Sequence, residues 1–316
     1  MSRAALHDLH PPVEDLRREV LASLAAEPKK LAPKLFYDVQ GSHLFDAITA
    51  LPEYYPTRTE IGILRGCRDE LAELLGPDTV LIESGGGNGI KARLLLDKID
   101  ARAYVPIDIA RQHLFTAAEA LAGDYPDVTV HAVCADFSRP LELPELPEGG
   151  RRVAFFPGSS IGNFDANAAI ALLERLAGLV GPGGVLLIGV DLVKDKARLT
   201  AAYDDVQGVT AEFNRNVLTR LNRELDADFV LERFTHEARY NSDVDRVEMH
   251  LVSQVGQQVA VGDTSFNFSA GESIHTENAY KYTPDGFREL AAAAGFDPWR
   301  EWSDPEGLFA VFLFTC

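Results

Sequence analysis

Thr79-Val-Leu-Ile-Glu-Ser-Gly-Gly-Gly-Asn-Gly89 decides the fold of this chain. Thr79 to Glu83 is a short, nearly continuous apolar run, which reads as a parallel strand covered on both faces. The glycines follow at once, and Ile90, Leu94, Leu95 and Ile99 then recur at helical spacing. Strand, glycine turn and helix in that order open a doubly wound α/β sheet. The same alternation continues downstream. Ala103-Tyr-Val-Pro-Ile-Asp108 is a second strand, 111–122 a helix, Val128 to Ala135 a third strand and Val153 to Phe156 a fourth. Helix 165–180 leads through Gly181-Pro-Gly-Gly184 to a fifth strand, Val185 to Val190. Short links between strands and helices imply right-handed crossovers and a parallel sheet.

The alternation stops near Lys194. Residues 195–225 read as helical, and 229–270 alternate like antiparallel strands, with Phe229 and Leu231 on one and Val247, Met249 and Leu251 on another. A helix over 285–295 and a strand from Leu308 to Phe314 return to the first sheet. Upstream, Val13, Leu16, Val20 and Leu24 mark a helix, Ser42 is a candidate cap for a second, and Thr57 with Glu60 fits a capping box for a third. The chain therefore divides into a nucleotide-type domain over 60–194 plus 283–316, a second α+β lobe over 13–59 plus 195–282, and a loose arm over 1–12.

The 316 residues are 46% hydrophobic and 25% charged, ordinary values for a globular protein with its own core. Thirty Lys and Arg stand against 48 Asp and Glu, a net charge of -18. That balance argues against a nucleic-acid binder and against docking on an anionic membrane. Three scattered cysteines, Cys67, Cys134 and Cys316, give neither a disulfide framework nor a zinc knuckle. No apolar run reaches the roughly 20 residues of a membrane span, and the N-terminus lacks a secretory pattern. The expectation is a cytoplasmic monomer acting on a small molecule.

The glycine turn discriminates between cofactors. A dinucleotide site wants G-x-G-x-x-G, and here Gly85 and Gly87 fit but the third position is Ile90. The spacing that fits is Gly85-x-Gly87-x-Gly89, preceded by Glu83. This E-x-G-x-G-x-G form resembles the first motif of class I S-adenosylmethionine methyltransferases, whose fold is a Rossmann-like doubly wound sheet. The resemblance implies a cofactor site built from Glu83, Gly85, Gly87, Gly89 and Asp108, with Lys91 nearby on the helix. Asp108 ends the second strand, where an acidic side chain accepts hydrogen bonds from ribose hydroxyls, or alternatively caps a helix. Asp136 and Phe137 end the third strand, where such enzymes meet the adenine amino group and ring.

Longer segments carry a closer resemblance. Phe36-Tyr-Asp-Val-Gln-Gly-Ser42, Leu51-Pro-Glu-Tyr-Tyr-Pro-Thr-Arg58, Gly158-Ser-Ser-Ile-Gly-Asn-Phe164, Gly208-Val-Thr-Ala-Glu-Phe-Asn-Arg-Asn216 and Ile274-His-Thr-Glu-Asn-Ala-Tyr-Lys-Tyr282 are similar to the histidine Nα-methyltransferases of ergothioneine biosynthesis, from about residue 34 to the C-terminus. What the resemblance implies is an amino-acid site in which Tyr37 handles the reacting amine and Tyr54 lines the pocket. Asn163 and Tyr203 hold the amino and carboxylate groups, Glu277 reads the imidazole, and Met249 lies near the ring. Phenols and a carboxamide both donate and accept, which suits a zwitterion. The family has a serine two residues after that glutamate, where this chain has Ala279. A relative acting on another amino acid or amine is the alternative this departure leaves open. A non-catalytic S-adenosylmethionine-binding module and a Rossmann dehydrogenase are further alternatives.

Other chemistry is weaker. His131 and Cys134 fall on opposite faces of a strand, and His236, His250 and His275 show no paired ligand spacing, so no metal is expected. Gly158-Ser-Ser-Ile-Gly162 superficially resembles a nucleophile elbow around Ser160, but the acid and histidine that should follow are not evident.

Overall fold

The computed structural model describes residues 4–10, 12–147 and 149–316. The chain forms two compact units, one of 1–10, 56–193 and 280–316, the other of 11–55 and 194–279.

The first unit is built on an eight-stranded sheet. Its order is Ala5–Asp8, Thr129–Cys134, Ala101–Asp108, Thr79–Ser84, Arg152–Phe156, Val185–Asp191, Phe309–Thr315, Asp297–Ser303. The first six strands run parallel, Phe309–Thr315 runs antiparallel to them, and Asp297–Ser303 pairs antiparallel with Phe309–Thr315. All six residues of Thr79–Ser84 are buried, which is why the run shows no polar alternation. Successive side chains go to opposite faces. Leu81 joins Leu64, Leu71, Leu95 and Leu121 in one cluster, while Val80 and Ile82 join Val105, Ile107 and Val133 in another. The helices Ala166–Val180 and Pro284–Ala293 contribute Leu172, Leu173, Leu176 and Phe287 to a third cluster with Phe312.

Of the loose arm expected over 1–12, residues 1–3 and 11 lie outside the described residues, and Ala5–Asp8 is a strand. Ala5–Asp8 pairs in parallel with 131–134 and extends the sheet by one strand. Its four residues are too few for periodicity to reveal. The strand Asp297–Ser303 was also not expected. The helix expected behind Thr57 starts already at Tyr55, so Glu60 is no capping-box partner; it is fully buried at 0% exposure.

The second unit combines helices with two small sheets. A three-stranded sheet has the order Ser273–Tyr280, Arg246–Ser253, Phe234–Asn241, and a hairpin joins Gln257–Val261 to Thr264–Phe268. Phe229 lies outside any strand and Leu231 in a single 3-10 turn, because Asn222 takes both backbone groups of Phe229. The helical expectation for 195–225 resolves into Lys196–Tyr203 and Val209–Leu225. Asp205 causes the break. Its carboxylate accepts from Val209 N–H (3.0 Å) and Thr210 N–H (2.8 Å), supplying the second helix with its N-terminal acceptor. Burial pushes the Asp205 carboxyl up, but the N–H bonds of Thr210 and Val209 outweigh it and hold it below the usual range. The helix Val39–Thr49 is capped by Asp38 rather than Ser42, through Gly41 N–H at 2.7 Å.

Candidate active site

The glycine turn needs its glycines. Gly85, Gly87 and Gly89 have φ of +76°, +47° and +70°, a region unfavourable for residues with a Cβ. The turn is pinned from below, where Gly85 N–H donates to the Ile107 carbonyl at 2.8 Å. Above it there is space, since a Cβ placed on Gly85 would meet nothing within 4 Å. Open room over a ring of backbone is what a nucleoside needs there.

Asp108 ends the neighbouring strand, and its two oxygens accept from Gly87 N–H (3.1 Å) and Ala110 N–H (2.9 Å). It therefore ties the turn to the second strand, and each carboxylate oxygen keeps a further lone pair for a ribose hydroxyl. Asp136, at the end of the third strand, accepts from Ser138 N–H at 3.0 Å, with the Arg139 guanidinium 3.5 Å away. Phe137 packs edge-on against Phe156 at 5.5 Å. Glycine turn, Asp108, Asp136 and Phe137 thus meet at the C-terminal ends of three adjacent strands, where open α/β sheets bind ligands.

Glu83 lies on the strand Thr79–Ser84, two residues before Gly85. It is 2% exposed and accepts from the Tyr104 hydroxyl. Burial pushes its carboxyl up to about 8, against the opposing effect of the Tyr104 hydrogen bond. It braces the strand end from inside the core. Lys91, in the first turn of the helix Ile90–Leu96, pairs with Glu60 at 2.5 Å. The two oxygens of Glu60 also accept from Gly158 N–H at 3.0 and 2.9 Å. Gly158 heads the loop that ends in the 3-10 turn Ser160–Asn163. Asn163 does not cap the following helix; Asp165 does. The loop is tied again by Ser159, whose Oγ accepts from Asp191 N–H at 2.9 Å.

In the second unit three of the expected tyrosines come together. Tyr37 stands edge-on to Phe45 at 5.7 Å, Phe45 to Tyr54 at 6.3 Å, and Tyr54 to Tyr203 at 6.3 Å. Tyr55 is instead structural, its hydroxyl accepting from Lys194 Nζ at 2.7 Å. Met249 is buried in Arg246–Ser253, while Glu277 (half-buried) and Ala279 (buried) lie on Ser273–Tyr280. These strands are held in place by a residue that the sequence reading did not single out. Asn214, fully buried, donates to His236 Nδ1 (2.8 Å) and the His250 carbonyl (3.1 Å), and accepts from Thr276 (2.8 Å). Thr276 also donates to the Met249 carbonyl, and His236 Nε2 to the Tyr203 carbonyl. One amide so links the segments carrying Tyr203, Met249 and Glu277. Its only sequence signal was a polar residue on the apolar face of helix Val209–Leu225.

The structure also collects Glu248, His250 and His275, whose candidate ligand atoms lie within 4.8 Å of one another. The sequence showed no such pairing because His275 comes from a different strand. The two imidazoles stack at 4.9 Å with planes 19° apart, so their in-plane lone pairs do not converge on one ion. Glu248 is instead matched by Arg246 at 2.6 Å and by His250 at 3.1 Å.

A parallel nucleotide-type sheet, an open glycine turn and acidic residues on the next two strand ends define a methyltransferase of the S-adenosylmethionine-binding class. More particularly, the family described as "Histidine-specific methyltransferase, SAM-dependent" matches residues 16–316, and the chain belongs to it. It is 47% identical over 304 residues to the histidine N-alpha-methyltransferase of Mycobacterium tuberculosis, covering 94% of each chain. It is also 47% identical over 306 residues to that of Mycolicibacterium smegmatis, covering 95% of this chain and 94% of the other. Ergothioneine biosynthesis protein 1 of Neurospora crassa is 30% identical over 285 residues, covering 87% of this chain and 32% of that protein. Among the described residues no helix is long and apolar enough to cross a membrane.

Proposed function

We propose that this chain transfers methyl groups from S-adenosylmethionine to the α-amino group of free L-histidine, forming the Nα-trimethyl product used in ergothioneine biosynthesis. The observation that carries this reading is 47% identity over 94% of both chains to a histidine N-alpha-methyltransferase. The site agrees with it. Gly85, Gly87, Gly89, Lys91, Asp108, Asp136 and Phe137 would hold the methyl donor, which fits the open space above Gly85. When bound, S-adenosylmethionine supplies an electrophilic methyl group on a sulfonium whose charge also favours loss of the amine proton.

The chain's own residues then have defined tasks. The amine must lie about 3–3.5 Å from the methyl carbon and in line with the breaking bond. Asn163 and Tyr203 anchor the amino acid by its amino and carboxylate groups. Anchoring at the carboxylate leaves the amine free to turn between transfers. Each methyl gained requires one proton to leave the amine, and Tyr37 passes that proton towards solvent. Glu277 accepts an imidazole N–H, and Met249 packs near the ring. No metal is needed for this chemistry. We place the reaction in the cytoplasm, in a monomer with a small-molecule partner only; the three free thiols support a reducing compartment.

The reading is tested by incubating the enzyme with S-adenosylmethionine and each proteinogenic amino acid, followed by mass spectrometry. Histidine should gain one to three methyl groups. An unmodified histidine beside another methylated amino acid overturns the assignment. Ala279 is the one position that favours that second reading, since it removes a hydroxyl from the imidazole end of the site.

A further inference from the structure

We propose that Glu60 is a positioning residue for the methyl-transfer site, holding Lys91 at the cofactor turn and Gly158 at the head of the Asn163 loop with one buried carboxylate. The inference rests on the functional reading above but is tested through cofactor binding, which does not depend on which amino acid is methylated.

Several observations converge on it. Glu60 is 0% exposed, so water cannot satisfy its charge. A buried carboxylate is costly unless it is paired and hydrogen-bonded. Here both needs are met by segments that carry site residues. Lys91 Nζ lies 2.5 Å from Oε2, with the Lys91 side chain itself only 16% exposed. Gly158 N–H is shared between the two oxygens at 3.0 and 2.9 Å. Lys91 stands one residue after the glycine-turn helix begins, and Gly158 stands five residues before Asn163.

The space for this contact is built into the sheet. A Cβ on Gly189 would fall 1.9 Å from Glu60 Oε1, so the strand Val185–Asp191 has a glycine where the carboxylate passes. On Gly158, with φ at +81°, a Cβ would come within 3.4 Å of Lys91 Nζ. Gly189 therefore clears the path for the carboxylate, while the distance at Gly158 is an ordinary van der Waals contact. An apolar residue of Glu60's size would fill the core as well, and replacing buried ion pairs in that way is often neutral or stabilising. A charge kept here, with the facing strand residue reduced to glycine to make room for it, points to placement of its partners rather than to stability.

Glu60→Gln separates the two. The amide keeps the volume and an acceptor for Gly158 but loses the charge that draws in Lys91. Titration calorimetry with S-adenosylhomocysteine should show about tenfold weaker binding in E60Q, at a melting temperature near that of the unaltered enzyme. Lys91→Met should show a similar loss, and the double variant E60Q/K91M no more than K91M alone. Glu60→Asp should recover part of the affinity. Unchanged affinity in E60Q, or losses that multiply in the double variant, overturns the proposal. If E60Q does not fold, K91M carries the test from the other side. It should weaken S-adenosylhomocysteine about tenfold and raise KM for the amino acid through the loop, and an unaltered affinity there is equally decisive against it.

Discussion

At the residue scale, the proposed specificity turns on a single hydroxyl. Ala279 is buried on the same strand as Glu277, at a position where the family pattern has a hydroxyl. An unmade polar contact in a buried pocket costs on the order of 1–3 kcal/mol. Ala279→Ser should therefore lower KM for histidine roughly fivefold or more, with kcat nearly unchanged, in steady-state assays. A kcat effect without a KM effect would move the position out of the substrate pocket. The glycine turn and Asp108 were readable at this scale because their chemistry is local: a backbone needing positive φ, and an acid at a strand end; the tyrosines came only from the family resemblance. Glu60, Glu83 and Asn214 were not. Each is a polar residue whose meaning lies in partners far along the chain; Glu60 reads locally as a capping-box partner, and Asn214 lies in a stretch read only as helical.

At the element scale, the three-stranded sheet and the helix Val209–Leu225 depend on each other through Asn214. Asn214→Ala leaves His236, Thr276 and the His250 carbonyl without their partner, a loss on the order of 3 kcal/mol that thermal unfolding should reveal. The same variant should raise KM for histidine while leaving affinity for S-adenosylhomocysteine within about twofold, because the hub joins only segments that carry substrate residues. Equal losses in both would show general unfolding instead. Helix and strand types were legible where apolar periodicity was long. They failed where capping decided the outcome. Asp205 splits a helical stretch in two, Asp38 takes the capping role expected of Ser42, and Asn222 holds Phe229 out of the sheet.

The same sheet makes the protein sensitive to acid. Burial pulls His250 from its ordinary 6.5 down to about 4, against the opposing hydrogen bond that its Nε2 makes to the Glu248 carboxylate, and burial lowers His236 and His275 as well. At these histidines the unfolded chain binds protons that the folded one lacks, for His250 between about pH 6.5 and 4. Their contribution to stability is full above the upper limit and is lost as pH falls through that window, whereas the raised Glu83 carboxyl acts in the opposite sense at higher pH. Melting temperatures measured across it should drop steeply, and His250→Gln should flatten the slope. An unchanged slope in that variant would assign the effect to other groups.

At the scale of the whole molecule, two compact units divide the labour. The doubly wound sheet presents the proposed cofactor residues Gly85, Asp108 and Asp136 on adjacent strand ends, and the second unit gathers Tyr37, Tyr54 and Tyr203 through Phe45. The sheet was legible because buried parallel strands are nearly pure apolar runs. Its outer strand, Ala5–Asp8, was not, since four half-exposed residues carry no period. The Ile90 misfit to a dinucleotide turn predicts that S-adenosylhomocysteine raises the melting temperature by several degrees while NAD does not. A shift with NAD would restore the dehydrogenase reading.

The most direct measurement follows the methyl carbon itself. With histidine and S-adenosylmethionine labelled with carbon-13 at the methyl, carbon-correlated NMR of the product should show one N-methyl signal coupled to the α-carbon, growing to three equivalent methyls on the α-nitrogen. A labelled methyl on the imidazole, or none on histidine at all, would contradict the account.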